Sequence, residues 1–147
     1  MSAALSGKSR EQQGDMKILV IEDSRMLRLA MEKSLSKAGY EVTCIGDGQL
    51  GLNLAQTMHP DLILLDMMLP TLEGTGVLRQ LRKDPSTRLI PVVVLSGLSQ
   101  KNEQKLKSAG ATAYFEKSKL DLDNKDGALV HLVEELFSCT SQTNPAR

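Results

Sequence analysis

Apolar residues in this chain come in short dense runs, separated by longer stretches where they recur every three or four positions. The dense runs are 17–21, 41–45, 62–65, 92–95 and 112–115. Their near-continuous apolar content, Val, Leu and Ile above all in the first, third and fourth, predicts strands buried on both faces. The stretches between them read as amphipathic helices. Ser24 caps a helix to Ala38, with Leu27, Ala30, Met31, Leu35 and Ala38 on one face, and Gly39 stops it. Gly46-Asp47-Gly48 is a turn, and Leu50, Leu54, Ala55 and Met58 mark a second helix closed by His59-Pro60. A third passes through Val77, Leu78 and Leu81 and breaks at Asp84-Pro85. A charged fourth helix is expected over 100–109. The last, over 127–137, turns Leu129, Leu132, Val133 and Leu136 inward.

Strictly alternating strands and helices imply a parallel sheet covered on both faces, with right-handed crossovers. The expected fold class is α/β: a flavodoxin-like, doubly wound, five-stranded parallel sheet in the order 2-1-3-4-5, with five helices. That order puts a switch point between the first and third strands, where such sheets place their ligands. Residues 1–15 have no apolar period and read as a disordered leader. Residues 16–137 form one domain, and 138–147 read as a flexible tail. No repeat at solenoid spacing is present.

The 147 residues carry 18 basic and 18 acidic side chains, so no global charge argues for nucleic acid or an anionic membrane as partner. No apolar run is long enough to span a bilayer, and the first residues lack the pattern of a signal peptide. Cys44 and Cys139 make no metal-ligand spacing, and Cys44 reads as a small core residue. The expected location is the cytoplasm.

The chemistry gathers at the strand ends. The first strand runs into Glu22-Asp23, the third into Asp66 and the fourth into Ser96-Gly97; Lys117 follows the fifth. Crowded carboxylates repel, and a divalent cation relieves that repulsion. Magnesium prefers carboxylate oxygens and commonly joins a phosphate. A carboxylate is also a nucleophile able to form an aspartyl phosphate. Lys117 would add positive charge to the phosphoryl oxygens, Ser96 a hydrogen bond, and Gly97 room beside that oxygen. Singly, Asp23 reads as well as a helix cap, Ser96 as a turn hydroxyl and Tyr114 as a packed ring.

Taken together, Glu22-Asp23, Asp66, Pro70, Gly74, Ser96-Gly97, Tyr114 and Lys117 resemble the receiver domain of two-component response regulators, in a stand-alone, chemotaxis-regulator-like form. The resemblance spans about 16–137. It implies Asp66 as phosphoacceptor, with Mg2+ held by Glu22, Asp23, Asp66 and the backbone carbonyl of Met68. It implies Ser96 and Tyr114 as a switch pair beside Gly97 and Lys117. The expected donor is a sensor histidine kinase or a histidine phosphotransfer protein. The expected target is a protein that reads the face of the fourth helix, fifth strand and fifth helix, with no nucleic acid bound by the domain itself. A homodimer stays open. The resemblance implies a signalling module that catalyses its own aspartyl phosphorylation and dephosphorylation, not an enzyme with a separate substrate.

Met68 and Leu98 lie two residues beyond Asp66 and Ser96 and cannot orient a water, so they are expected to tune the lifetime of the phosphoryl group. One departure stands out: Ser118 follows Lys117 where the family usually has proline. A misaimed Lys117 would favour an alternative, a receiver-like scaffold working without phosphorylation. An aspartate-nucleophile phosphatase does not fit, because Asp66-Met67-Met68-Leu69-Pro70 lacks a second acid. A flavin site does not fit either, since the turn after the first strand is acidic where the flavin phosphate would sit.

Overall fold

The computed structural model describes residues 16–67, 69, 73–97, 108–119 and 127–143. Along the chain lie β1 (Lys17–Ile21), α1 (Arg25–Lys37), β2 (Glu41–Ile45), α2 (Gly48–Met58) and β3 (Leu62–Asp66). There follow α3 (Gly74–Lys83), β4 (Val92–Ser96), β5 (Ala113–Glu116), a 3-10 turn (Lys117–Lys119) and α4 (Ala128–Thr143). The strands are all parallel and stand in the order β2-β1-β3-β4-β5. This is the expected flavodoxin-like sheet.

Side chains alternate across the strands, and that period of two sorts the core into two layers. Leu19, Ile21, Ile63, Leu65, Val92 and Val94 pack beneath Leu52, Ala55, Val77, Leu78 and Leu81, so α2 and α3 cover one face. Ile18, Val20, Leu62, Leu64, Val93 and Leu95 pack with Met31, Leu35, Leu129 and Val133, so α1 and α4 cover the other. At about 1.5–3 kcal/mol per fully buried aliphatic side chain, these layers dominate the folding energy. β3 and β4 are buried along their whole length and β1 from Ile18 on, and the register aligns the carboxyl ends of all three. Carboxylates at those ends are thereby carried to one edge.

The helix ends follow local chemistry. The Ser24 hydroxyl accepts from Leu27 N and starts α1, and Gly39, at φ +105°, ends it. Asp47 caps α2 through Leu50 N, which lets the helix begin at Gly48, inside the expected turn. His59 closes α2 in the left-handed region at φ 48°, directly before Pro60.

Among the described residues there are four α-helices rather than five. The expected fourth, over 100–109, falls outside them except for its end. The last helix passes the expected stop at Phe137 and reaches Thr143, into the stretch read as flexible tail. Residues 138–143 contain no Gly or Pro, and Pro145 is the first breaker, so nothing local halts the helix.

At the amino edge of the sheet, Arg82 reaches out from α3. Its Nε donates to Gly110 O at 2.9 Å, and its Nη1 donates to Ile90 O at 2.7 Å and Arg88 O at 3.0 Å. Its Nη2 lies 3.4 Å from Thr112 Oγ1.

Candidate functional site

β1 ends at Ile21, so the next two residues, Glu22 and Asp23, turn over the carboxyl edge beside β3. Glu22 is buried, with Oε2 accepting from Ser24 N at 2.9 Å. Asp66 is the last residue of β3 and is 1% exposed. Lys117 opens the 3-10 turn after β5 and sends its ammonium into this corner. Its Nζ lies 2.8 Å from Asp66 Oδ1 and 3.2 Å from Glu22 Oε1. The backbone N–H of Asp23 makes a long contact, 3.5 Å, to Asp66 Oδ2, while the residue itself is exposed on the rim. Two buried acids thus share one ammonium. The Lys117–Ser118 peptide is not cis, yet the lysine is aimed at Asp66. The missing proline therefore does not misdirect it.

Ser96 ends β4 and is buried, one residue beyond Leu95, the register partner of Asp66. Gly97 is exposed, and an added Cβ there meets nothing within 4 Å, so packing leaves open room at that point. Tyr114 lies two residues back from the end of β5, half-buried against the layer beneath α2 and α3. Met68, Pro70 and Leu98 lie outside the described residues.

Gly74 belongs to the site for a packing reason. A Cβ on it would stand 2.5 Å from Asp66 O and 2.7 Å from Met67 Cα, both backbone atoms. Gly74 N also donates to Met67 O at 3.1 Å, which ties the start of α3 to the residue after Asp66. Sequence reasoning missed Arg28. Its Nη1 donates to Glu22 O at 3.1 Å and Asp23 O at 3.0 Å. The available signal was a basic residue at the end of the first helical turn behind an acidic pair.

Electrostatics follow from the shared ammonium. Burial and the neighbouring Asp66 charge raise the Glu22 carboxyl above its ordinary 4.5, against the pull of Ser24 N–H and Lys117. Burial pulls Lys117 down, but the Asp66 hydrogen bond and both carboxylate charges outweigh it, and the amine is raised above 10.5. The linkage signs differ. The folded state holds the Glu22 proton more tightly than the unfolded chain does. That contribution is full below pH 4.5 and is lost as pH climbs through the raised value. The Lys117 contribution is full below pH 10.5 and is lost as pH rises past its own raised value. Glu22→Gln is therefore expected to raise the denaturant midpoint of the metal-free protein at pH 7 and to flatten its slope with pH above 4.5. An unchanged pH slope would mean that Glu22 is not the titrating group.

Among the described residues, no group of three His, Cys, Asp or Glu side chains stands ready to hold a metal ion. Lys117 lies against both buried acids, and Asp23 is exposed at the rim. Also among the described residues, no helix is long and apolar enough to cross a membrane.

A profile of the response regulator receiver domain matches residues 18–124. The chain belongs to this family. The receiver domain is similar to the probable transcriptional regulator ycf27 of Cyanophora paradoxa, 35% identical over 131 residues, covering 87% of this chain and 54% of that protein. The chain spans about half or less of the length of the ycf27 relatives it matches. Among solved structures it resembles the receiver domain of the Francisella response regulator 1452. That match has 29% identity and a TM-score of 0.75, and covers 85% of this chain and 98% of that one. It also resembles the receiver domain of the sensor histidine kinase PA1611 from Pseudomonas aeruginosa PAO1, with 28% identity and a TM-score of 0.70, covering 82% and 95%. That structure has a magnesium ion coordinated in its active site cleft. As a receiver domain, the chain is a phosphoacceptor module of two-component signal transduction, and nothing favours the scaffold reading.

Proposed function

We propose that this receiver accepts its phosphoryl group on Asp66 from a phosphohistidine of a sensor kinase or a phosphotransfer protein. The observation that carries this reading is the Lys117 ammonium 2.8 Å from a buried strand-end carboxylate. An Asp66 oxygen attacks phosphorus, a P–O bond forms, and the P–N bond breaks. The imidazole nitrogen leaves with the electron pair and takes up a proton. Lys117 holds positive charge against the transferring phosphoryl oxygens, and the Ser96 hydroxyl donates to one of them. The same groups serve hydrolysis, in which water attacks phosphorus and gives up a proton, the bond to the Asp66 oxygen breaks and inorganic phosphate leaves, so the chain catalyses its own phosphorylation and dephosphorylation.

The donor set fits a hard divalent ion. Glu22 Oε1 is buried and makes no hydrogen bond, its charge facing the Lys117 ammonium at 3.2 Å, and a second carboxylate stands in the same corner. Glu22, Asp23, Asp66 and the Met68 carbonyl would hold Mg2+, which when bound supplies further positive charge to the phosphoryl oxygens. Ser96 and Tyr114 form the switch pair: the hydroxyl moves toward the phosphoryl group and the ring turns inward behind it. The downstream protein reads a face of β5, α4 and the 100–109 segment. The domain binds no nucleic acid by itself and works in the cytoplasm.

The test is incubation with a phosphohistidine donor, with and without Mg2+. Labelling is expected with the ion and is lost with a chelator. No label, under conditions that label a known receiver, overturns the reading. Decay of the label addresses Met68 and Leu98. Met68→Asn and Met68→Glu add a polar group near the water's approach and are expected to change the decay rate about tenfold. Superimposable decay curves would remove Met68 from the site.

A further inference from the structure

Arg28 is engaged at the acidic turn but plays no part in the reading above. It sits at the end of the first turn of α1, half-buried. One nitrogen, Nη1, donates to two successive carbonyls, Glu22 O at 3.1 Å and Asp23 O at 3.0 Å. Those carbonyls lie between the end of β1 and the start of α1.

Its lane is kept open by a glycine on another element. A Cβ added at Gly46 would stand 2.5 Å from Nη1 and 3.4 Å from Cζ of Arg28, yet at an ordinary 3.6 Å from Glu22 O. Gly46 follows β2, whose last residue, Ile45, accepts from Glu22 N at 3.0 Å. Two positions far apart in sequence thus converge on the backbone of one acidic pair.

We propose that Arg28, seated over Gly46, is a positioning residue that fixes the Glu22-Asp23 backbone and thereby sets the affinity of this corner for a divalent cation. The inference rests on the proposed metal role of those acids. Charge alone argues the opposite way, because a nearby cation weakens binding of another. The two effects are therefore separable by sign.

The experiment measures Mn2+ binding to the full chain from the resonance signal of the free ion, with denaturant stability measured in parallel. Arg28→Gln removes both the charge and the fork. Gly46→Ala keeps the charge and pushes the fork aside. Positioning predicts that both weaken Mn2+ roughly three- to tenfold, the scale of one or two lost hydrogen bonds, with Arg28→Lys in between. Tighter or equal binding by Arg28→Gln, or wild-type affinity in Gly46→Ala, overturns the proposal. So does a loss of stability with affinity unchanged, which would mark a merely structural arginine. Arg28→Lys and Gly46→Ala serve if Arg28→Gln does not fold. A wild type that binds no Mn2+ overturns the metal reading and this inference together; wild-type binding matched by the variants overturns this inference alone.

Discussion

Asp66→Asn is expected to reduce phosphoryl uptake to below about a hundredth of wild type, because the amide keeps the shape of the carboxylate but has no anionic oxygen to attack phosphorus. The fold is expected to survive. In the wild type, two buried acids share one ammonium, with Lys117 at 2.8 Å from Asp66 and 3.2 Å from Glu22. Neutralising Asp66 leaves a balanced Glu22–Lys117 pair, so no buried charge is orphaned. The measurement is the intact mass, or radiolabel, of both proteins after incubation with the same donor and Mg2+, alongside their denaturation curves. Label at the same site in a folded Asn variant would reject Asp66 as the acceptor. Loss of the fold would instead show that the carboxylate's main work is structural.

Gly74→Ala is expected to damage stability and chemistry together. The new methyl would meet Asp66 O at 2.5 Å and Met67 Cα at 2.7 Å. Neither is the end of a flexible side chain, so α3 or the end of β3 must move. Overpacking of this kind costs about 1–3 kcal/mol, and on the order of 3–10 °C in Tm for a domain of this size. Because the crowded oxygen is the Asp66 carbonyl, any yielding by β3 displaces the acceptor, and the labelling rate should fall as well. A misplacement of about 1 Å at a reacting group costs up to roughly a hundredfold. Thermal melts and initial labelling rates on the same sample test both halves. A normal rate in a destabilised variant would separate the helix entrance from the acceptor geometry.

Much of this was legible in the sequence, because periodicity and strand ends are local signals. Dense Val, Leu and Ile runs placed the three central strands, mixed apolar runs placed the two edge strands, and the residues ending the central three were the acids and hydroxyl of the corner. Ser24 and Gly39 marked both ends of α1 through their own backbone chemistry. Other features escaped for physical reasons. Arg28 acts by folding back over a turn five and six residues behind it, and no periodic pattern encodes a long side chain's direction. The reach of α4 to Thr143 depends on the absence of a breaker among polar residues that carry no apolar stripe. The aim of Lys117 was doubted because Ser118 replaces a proline. Yet the attraction of two buried carboxylates directs the ammonium whatever residue follows it.

Arg82 binds carbonyls and a hydroxyl from the loop after α3, the turn before β5 and the first residue ahead of that strand. It therefore ties three backbone segments together at the amino edge, on the side of the sheet opposite Asp66. Cutting that tie in Arg82→Ala is expected to loosen this edge while leaving the carboxylate corner assembled, so that Tm falls and label uptake does not.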